Sequence, residues 1–300
     1  MRRTETYAAM TKNAAQRSSW TFYEAINMMR FKPWIGYVLY GVAVTLVFLY
    51  LLFPGEALMS YISARVERDY PQWNIEMASA RMVLPVGVKM TNCAVSLKSK
   101  PAAVLKADSM TVRPSLWGLI TGNPSVSLKA KMYDGTVKVG VATVTSKAGK
   151  TADLDVNVDK VNMGKCSFTE AIFGRRIEGT LAGSLTYKGT VGKSVDGDGT
   201  VTFTLRAGTI PLSRDVLGFE KVSFDVVDSD LVLKRKTLQV KKLNISGKEM
   251  NGDFTGRMTL QDNIMKSALS LRGTMDFPAM RKKITMTLGG TLADPVPRFK

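Results

Sequence analysis

The pattern of apolar and polar positions divides the chain into three parts. Trp34 to Phe53 is apolar on every side and holds no charged residue. Its 20 residues, at ~1.5 Å each, make a helix of ~30 Å, the thickness of a bilayer's hydrocarbon core. Trp34, Tyr37, Tyr50 and Phe53 place aromatic rings near the two ends, where a membrane interface holds them. Pro33 suits the first turn, and Pro54 with Gly55 stops the helix. The pattern therefore predicts a transmembrane helix over 34–53. A cleaved signal peptide is the competing reading, but its apolar core is shorter, about 7–15 residues, and precedes a small-x-small site. Before this run, Trp20, Tyr23, Ile26, Asn27 and Arg30 fall at helical spacing, which predicts an interfacial helix within 14–31. After it, Leu58, Ile62 and Val66 share a face, which predicts a short helix over Glu56–Asp69, ended by Pro71.

From Trp73 onward the period changes to two. Val126, Leu128, Ala130 and Met132 alternate with Ser125, Ser127, Lys129 and Lys131, a strand with one dry and one wet face. Asp134-Gly135 is a strong hairpin signal, and Val137, Val139 and Val141 resume the alternation. The pattern returns at Leu154, Val156 and Val158, and at Val201, Phe203 and Leu205 after a turn at Asp196-Gly197-Asp198-Gly199. It returns again at Val222, Phe224 and Val226, at Phe254 and Met258, at Leu269 and Leu271, and at Ile284, Met286 and Leu288. Short helices are expected at Ser115–Ile120 and Phe168–Phe173. The fold class is mainly β: one membrane helix, then an elongated, curled antiparallel sheet with short helices. No second long helix is available to cover the dry face. The sheet must curl on itself, pack as a sandwich, or hold something apolar. In the last case Val126, Leu128, Met132, Val137, Val139 and Val141 line an apolar groove that suits phospholipid acyl chains.

Charge orients these segments. Lys plus Arg number 42 against 25 Asp plus Glu, a net charge of +17. Arg2, Arg3, Lys12, Arg17, Arg30 and Lys32 outweigh Glu5 and Glu24 before the apolar run. The positive-inside rule then puts 1–33 in the cytoplasm and, in a bacterium, 54–300 in the periplasm. The remaining cations alternate along strand faces with no interleaved aromatics, which argues against nucleic acid and leaves anionic lipid or an acidic protein as partners. The chain has no His, which removes imidazole bases, Ser–His–Asp triads and His-ligated zinc. Its two cysteines, Cys93 and Cys166, cannot build a four-thiolate metal site; they form either a disulfide or two separate buried thiols.

Other motifs dissolve on inspection. Gly192-Lys193-Ser194 ends like a phosphate loop, but Tyr187 stands where the leading Gly belongs and no helix follows. Asp196 and Asp198 lack the third oxygen ligand and distal Glu of a calcium loop. Asp153, Asp155 and Asp159 lie on a strand's wet face or at its end, and Asp225, Asp228 and Asp230 flank an expected turn. Both groups read as solvated faces rather than catalytic pairs. Asn244-Ile245-Ser246 fits a glycosylation acceptor, a short and common pattern that predicts nothing in a bacterial chain. No catalytic residue, metal site or cofactor site emerges, and the chain is read as a non-enzyme.

The order of three stretches resembles the type II secretion system protein N (GspN) family. These are Tyr50 to Leu58, Leu84-Pro85-Val86-Gly87-Val88-Lys89-Met90-Thr91-Asn92, and Ala107 to Gly122. The middle also resembles the AsmA-like repeat, in Pro114-Ser115-Leu116, the strand Val126 to Met132, and Tyr133-Asp134-Gly135. Gly290 to Pro295 looks like a closing strand of such proteins. The resemblance implies an inner-membrane protein with a periplasmic β-rich domain, engaged with other secretion-system proteins in export of folded proteins. AsmA-like relatives imply lipid handling or outer-membrane biogenesis instead. The family brings no catalytic residues.

Overall fold

The computed structural model describes residues 33–146, 149–174, 176–190, 197–216, 219–261, 264–278 and 282–299. The chain forms two units, Met1–Phe53 and Pro54–Lys300. The described part of the first is one helix, α1 (Pro33–Leu51), of 19 residues. Thr45 Oγ1 donates to the Gly41 carbonyl one turn back at 2.8 Å. Its large side chains face outward, with Tyr37 75% and Leu39 63% exposed. The helix begins one residue earlier and ends two residues earlier than expected, and Leu52 closes it with a turn onto Phe48. Nineteen residues reach ~28 Å. Among the described residues no helix is long and apolar enough to cross a membrane, so the structure does not support the transmembrane helix expected over 34–53. The interfacial helix expected within 14–31 lies outside the described residues.

The second unit opens with α2 (Gly55–Asp69), close to the helix expected there. Among the described residues fifteen strands follow. They are β1 (Trp73–Glu76), β2 (Ser79–Met82), β3 (Val88–Leu97), β4 (Lys100–Pro114), β5 (Ser125–Met132), β6 (Gly135–Ser146), β7 (Gly149–Asn162) and β8 (Thr180–Thr190). The rest are β9 (Gly197–Val216), β10 (Phe219–Arg235), β11 (Thr237–Ser246), β12 (Asn251–Thr259), β13 (Ala268–Phe277), β14 (Lys282–Gly290) and β15 (Pro295–Phe299). From β3 onward each strand pairs antiparallel with the next, while β1 and β2 both pair with β3. The outermost strands, β1 and β15, do not pair with each other, so the sheet is open. From β3 onward chain order equals spatial order, because a meander needs no crossover; the connections 115–124 and 163–179 carry short helices. The two expected short helices form as α3 (Leu116–Ile120), capped by Ser115 Oγ accepting from Gly118 N–H at 3.1 Å, and α4 (Ser167–Phe173).

One buried cluster forms where a helix meets the sheet. Leu58, Met59 and Ile62 of α2 cover Ala80, Met90 and Cys93. Gly55 starts α2 because a Cβ there would run into the Ala80 carbonyl. The first half of β4 extends past the end of β5, leaving one edge without a strand. Tyr133 Oη accepts from Lys106 N–H at 2.9 Å, and Ser167 Oγ of α4 donates to the Val104 carbonyl at 3.1 Å. Side chains thus finish the ladder that β5 does not reach.

Four local expectations are corrected. The hairpin turn is centred on Tyr133 (φ 49°) and Asp134 (φ 64°), not on Asp134-Gly135. Gly135 instead opens β6, where a Cβ would stand 2.6 Å from the Asp159 carbonyl oxygen of β7. Asp225, Asp228 and Asp230 lie inside β10 rather than beside a turn, and Gly197 to Gly199 lie inside β9. Gly290 ends β14 at φ 84°, Thr291 to Asp294 connect it to β15, and the last strand begins at Pro295. Cys93 and Cys166 are two separate buried free thiols, so no disulfide forms.

Candidate functional site

The register lines up the dry positions of successive strands. Val88, Val112, Leu128, Val139, Val156 and Leu185 stand side by side on β3 to β8. Val201, Leu231, Val240, Gly256, Leu271, Leu288 and Pro297 continue the same row on β9 to β15. One face of the sheet therefore carries an apolar row with no polar side chain in it. The neighbouring row on the opposite face is Lys89, Thr111, Lys129, Lys138, Asn157 and Ser184. That face is knitted by hydroxyl pairs, Ser184 Oγ to Thr202 Oγ1 at 2.9 Å and Thr186 Oγ1 to Thr200 Oγ1 at 2.7 Å.

The six residues expected to line a groove fall on the apolar face, graded along β5 and β6. Val126 pairs with Val141 and Leu128 with Val139, while Val137 faces Ala130. Val126 and Val141 are 41% and 39% exposed; Leu128, Val137 and Val139 are half-buried; Met132 is buried. A hollow of about 470 Å³ at the exposed end is lined by Pro114, Val126, Val141 and Leu154, among others. α2 packs on β1, β2 and β3, and α4 on β4. In the middle of the row Leu128, Val139, Val156, Leu185 and Val201 remain only half-buried.

The wet face holds something the sequence reading missed. The register gathers Lys89, Arg113, Lys129, Lys131 and Lys138 around a hollow of about 560 Å³, with Asp155 as its carboxylate. A second hollow of about 780 Å³ is lined by Lys234, Arg257, Arg272 and Arg298 without a carboxylate. The sequence shows the cations only as alternating along strand faces, and their clustering follows from strand pairing. Residues equidistant from the Tyr133–Asp134 turn meet, so the alternation of Lys129, Lys131 and Lys138 was the available signal. Lys89 and Arg113 join only through β3–β4–β5 pairing, which no short-range pattern announces.

Titratable groups elsewhere serve structure. The hydrogen bond and charge of Lys98 lower the Glu67 pKa, tying α2 to the turn after β3 at 2.9 Å. A hydrogen bond from Lys165 likewise lowers that of Asp134. Burial raises the Cys93 thiol and the Tyr133 phenol. Among the described residues no group of three or more Cys, Asp or Glu side chains is placed to hold a metal ion. Gly192-Lys193-Ser194 and Asp196 lie outside the described residues.

Fold and site together define a mainly β protein built on one open antiparallel sheet with an apolar face and a basic, hydroxyl-rich face. The chain matches no family model, no curated protein and no solved structure.

Proposed function

We propose that this is a lipid-handling protein of the bacterial cell envelope, holding acyl chains on the apolar face of its sheet. The observation that carries the reading is the unbroken apolar row from Val88 to Pro297, half-buried through its middle. Four strands at ~4.8 Å spacing cover ~15 Å, the depth of one leaflet's hydrocarbon. The stretch from β5 to β8 alone could therefore shield a chain of that length from water. Shielding is worth ~25 cal/mol per Å² of apolar surface removed from water, for protein and lipid alike.

The exposed apolar side chains of α1 support anchoring of the chain to the inner membrane, with the sheet on the periplasmic side. Contact with other envelope proteins and a part in protein export rest on the resemblance to the secretion family. The apolar row favours lipid handling over that reading, and the fold needs no catalytic group for it.

The test is lipid analysis of the full chain purified from membranes in mild detergent. The expected result is phospholipid retained at about one or more molecules per chain, lost in Val156→Asp, which puts a charge on the row. Lipid no higher than a detergent blank, or equal in Val156→Asp, would sink the proposal.

A further inference from the structure

Strand alternation puts Lys89, Lys129 and Lys138 on the opposite face of the sheet from the apolar row, although Leu128 and Val139 of that row also border the hollow. Lys129 and Lys138 are directly opposite one another on β5 and β6. The two-residue turn makes Met132–Gly135 the closing pair, and alternation makes Lys129–Lys138 one of the closer pairs, with Cα atoms about 4.5 Å apart. Like charges so placed destabilise a sheet. Lys89 lies in the same row two strands away, with Thr111 between, and Lys131 and Arg113 flank that row.

Among the described residues no salt bridge offsets this repulsion. Among the described residues none of the five cations has an ion pair, although Lys188 and Asp153 pair at 3.1 Å across β8 and β7. Asp155 lines the hollow without closing a salt bridge. Ser109 and Thr111 add hydroxyls between the cations, while Ser127 Oγ donates to the Arg113 carbonyl at 3.3 Å. Point-charge ammonium groups among hydroxyls match the tetrahedral oxygens of phosphate. The volume is that of a small-molecule site. No aromatic side chain lines it, so bases have nothing to stack on. From β3 to β6 the cations spread over three strand spacings, ~14 Å, wider than one phosphate.

We propose that the hollow over β3 to β6 binds a ligand carrying more than one phosphate group.

The experiment titrates pyrophosphate into the full chain in nonionic detergent micelles at low salt, by calorimetry. Saturable binding is expected, weakened about tenfold or more in Lys129→Gln/Lys138→Gln and kept within about threefold in Lys129→Arg/Lys138→Arg. Lys241→Gln/Lys242→Gln on β11 makes the same change of net charge and should leave binding within about twofold. The Gln pair should unfold at the same temperature as the parent or higher, because repulsion is removed. Doping the micelles with cardiolipin, a two-phosphate lipid, separates the sources: a lipid headgroup competes with pyrophosphate, and a site for a soluble ligand is unaffected. No saturable binding by the parent, unchanged binding in the Gln pair, or an equal loss in the β11 control would each overturn the proposal.

Discussion

Truncating one apolar side chain at the covered end of the sheet and one at the uncovered end should have unequal costs. Met90 is 3% exposed and enclosed by Leu58, Met59 and Ile62 of α2 and by Met110 of β4. Met90→Ala leaves a cavity and is expected to cost about 2–5 kcal/mol. Val126 lies on the same face but is 41% exposed. Val126→Ala removes two methylene-sized groups, worth about 1.6 kcal/mol if fully buried. With two-fifths of the side chain already in solvent, about 1 kcal/mol is the ceiling. The assay is urea unfolding of delipidated protein, followed by far-ultraviolet circular dichroism at matched detergent. The Val126 variant should shift the midpoint by less than half as much, without changing the slope. Equal costs would mean that the row at β5 is a packed core, and the argument for an open apolar face would fail.

Gly135→Ala should destabilise by about 1–3 kcal/mol in thermal unfolding, because β7 leaves no room for a Cβ; an unchanged midpoint would contradict the close approach. The Glu67 pKa is lowered in the folded chain, so its pairing with Lys98 stabilises above the unfolded value and is lost as pH falls through the folded one. The parent should therefore melt above Lys98→Gln at neutral pH, and the gap should close in acid, below the usual carboxylate range. A gap that persists in acid would show that Lys98 acts by packing. Val47→Arg places a charge on the exposed surface of α1 and should release the chain from membranes on alkaline washing. Retention of this variant at the parent level would argue against anchoring by α1.

Much of the sheet was legible because side-chain direction alternates strictly. Val126, Leu128 and Val139 had to share a face once they were strands, and the mainly β class followed from that period. Irregularities broke the alternation where one residue changes phase. Phe224 and Val226 were read as one stripe, yet Val226 pairs with exposed Arg206 and Val227 turns inward beside Leu205. The cause is a kink at Ala207, whose φ of 49° no propensity foretells. The open sheet was not legible either, since closure depends on whether β15 finds β1. The basic hollow was hidden because it depends on the register of β3, β4 and β5 against one another, which no short-range pattern announces.

The most direct test of the apolar face uses two neighbouring positions that point opposite ways. A photoreactive amino acid is placed at Val139, in the apolar row, or at Lys138, on the wet face, in the full chain within native membranes. Irradiation followed by mass analysis should give phospholipid adducts through their acyl chains at 139, and none above background at 138. Equal labelling at both positions, or labelling at 138 alone, would contradict an acyl-chain site on the apolar face.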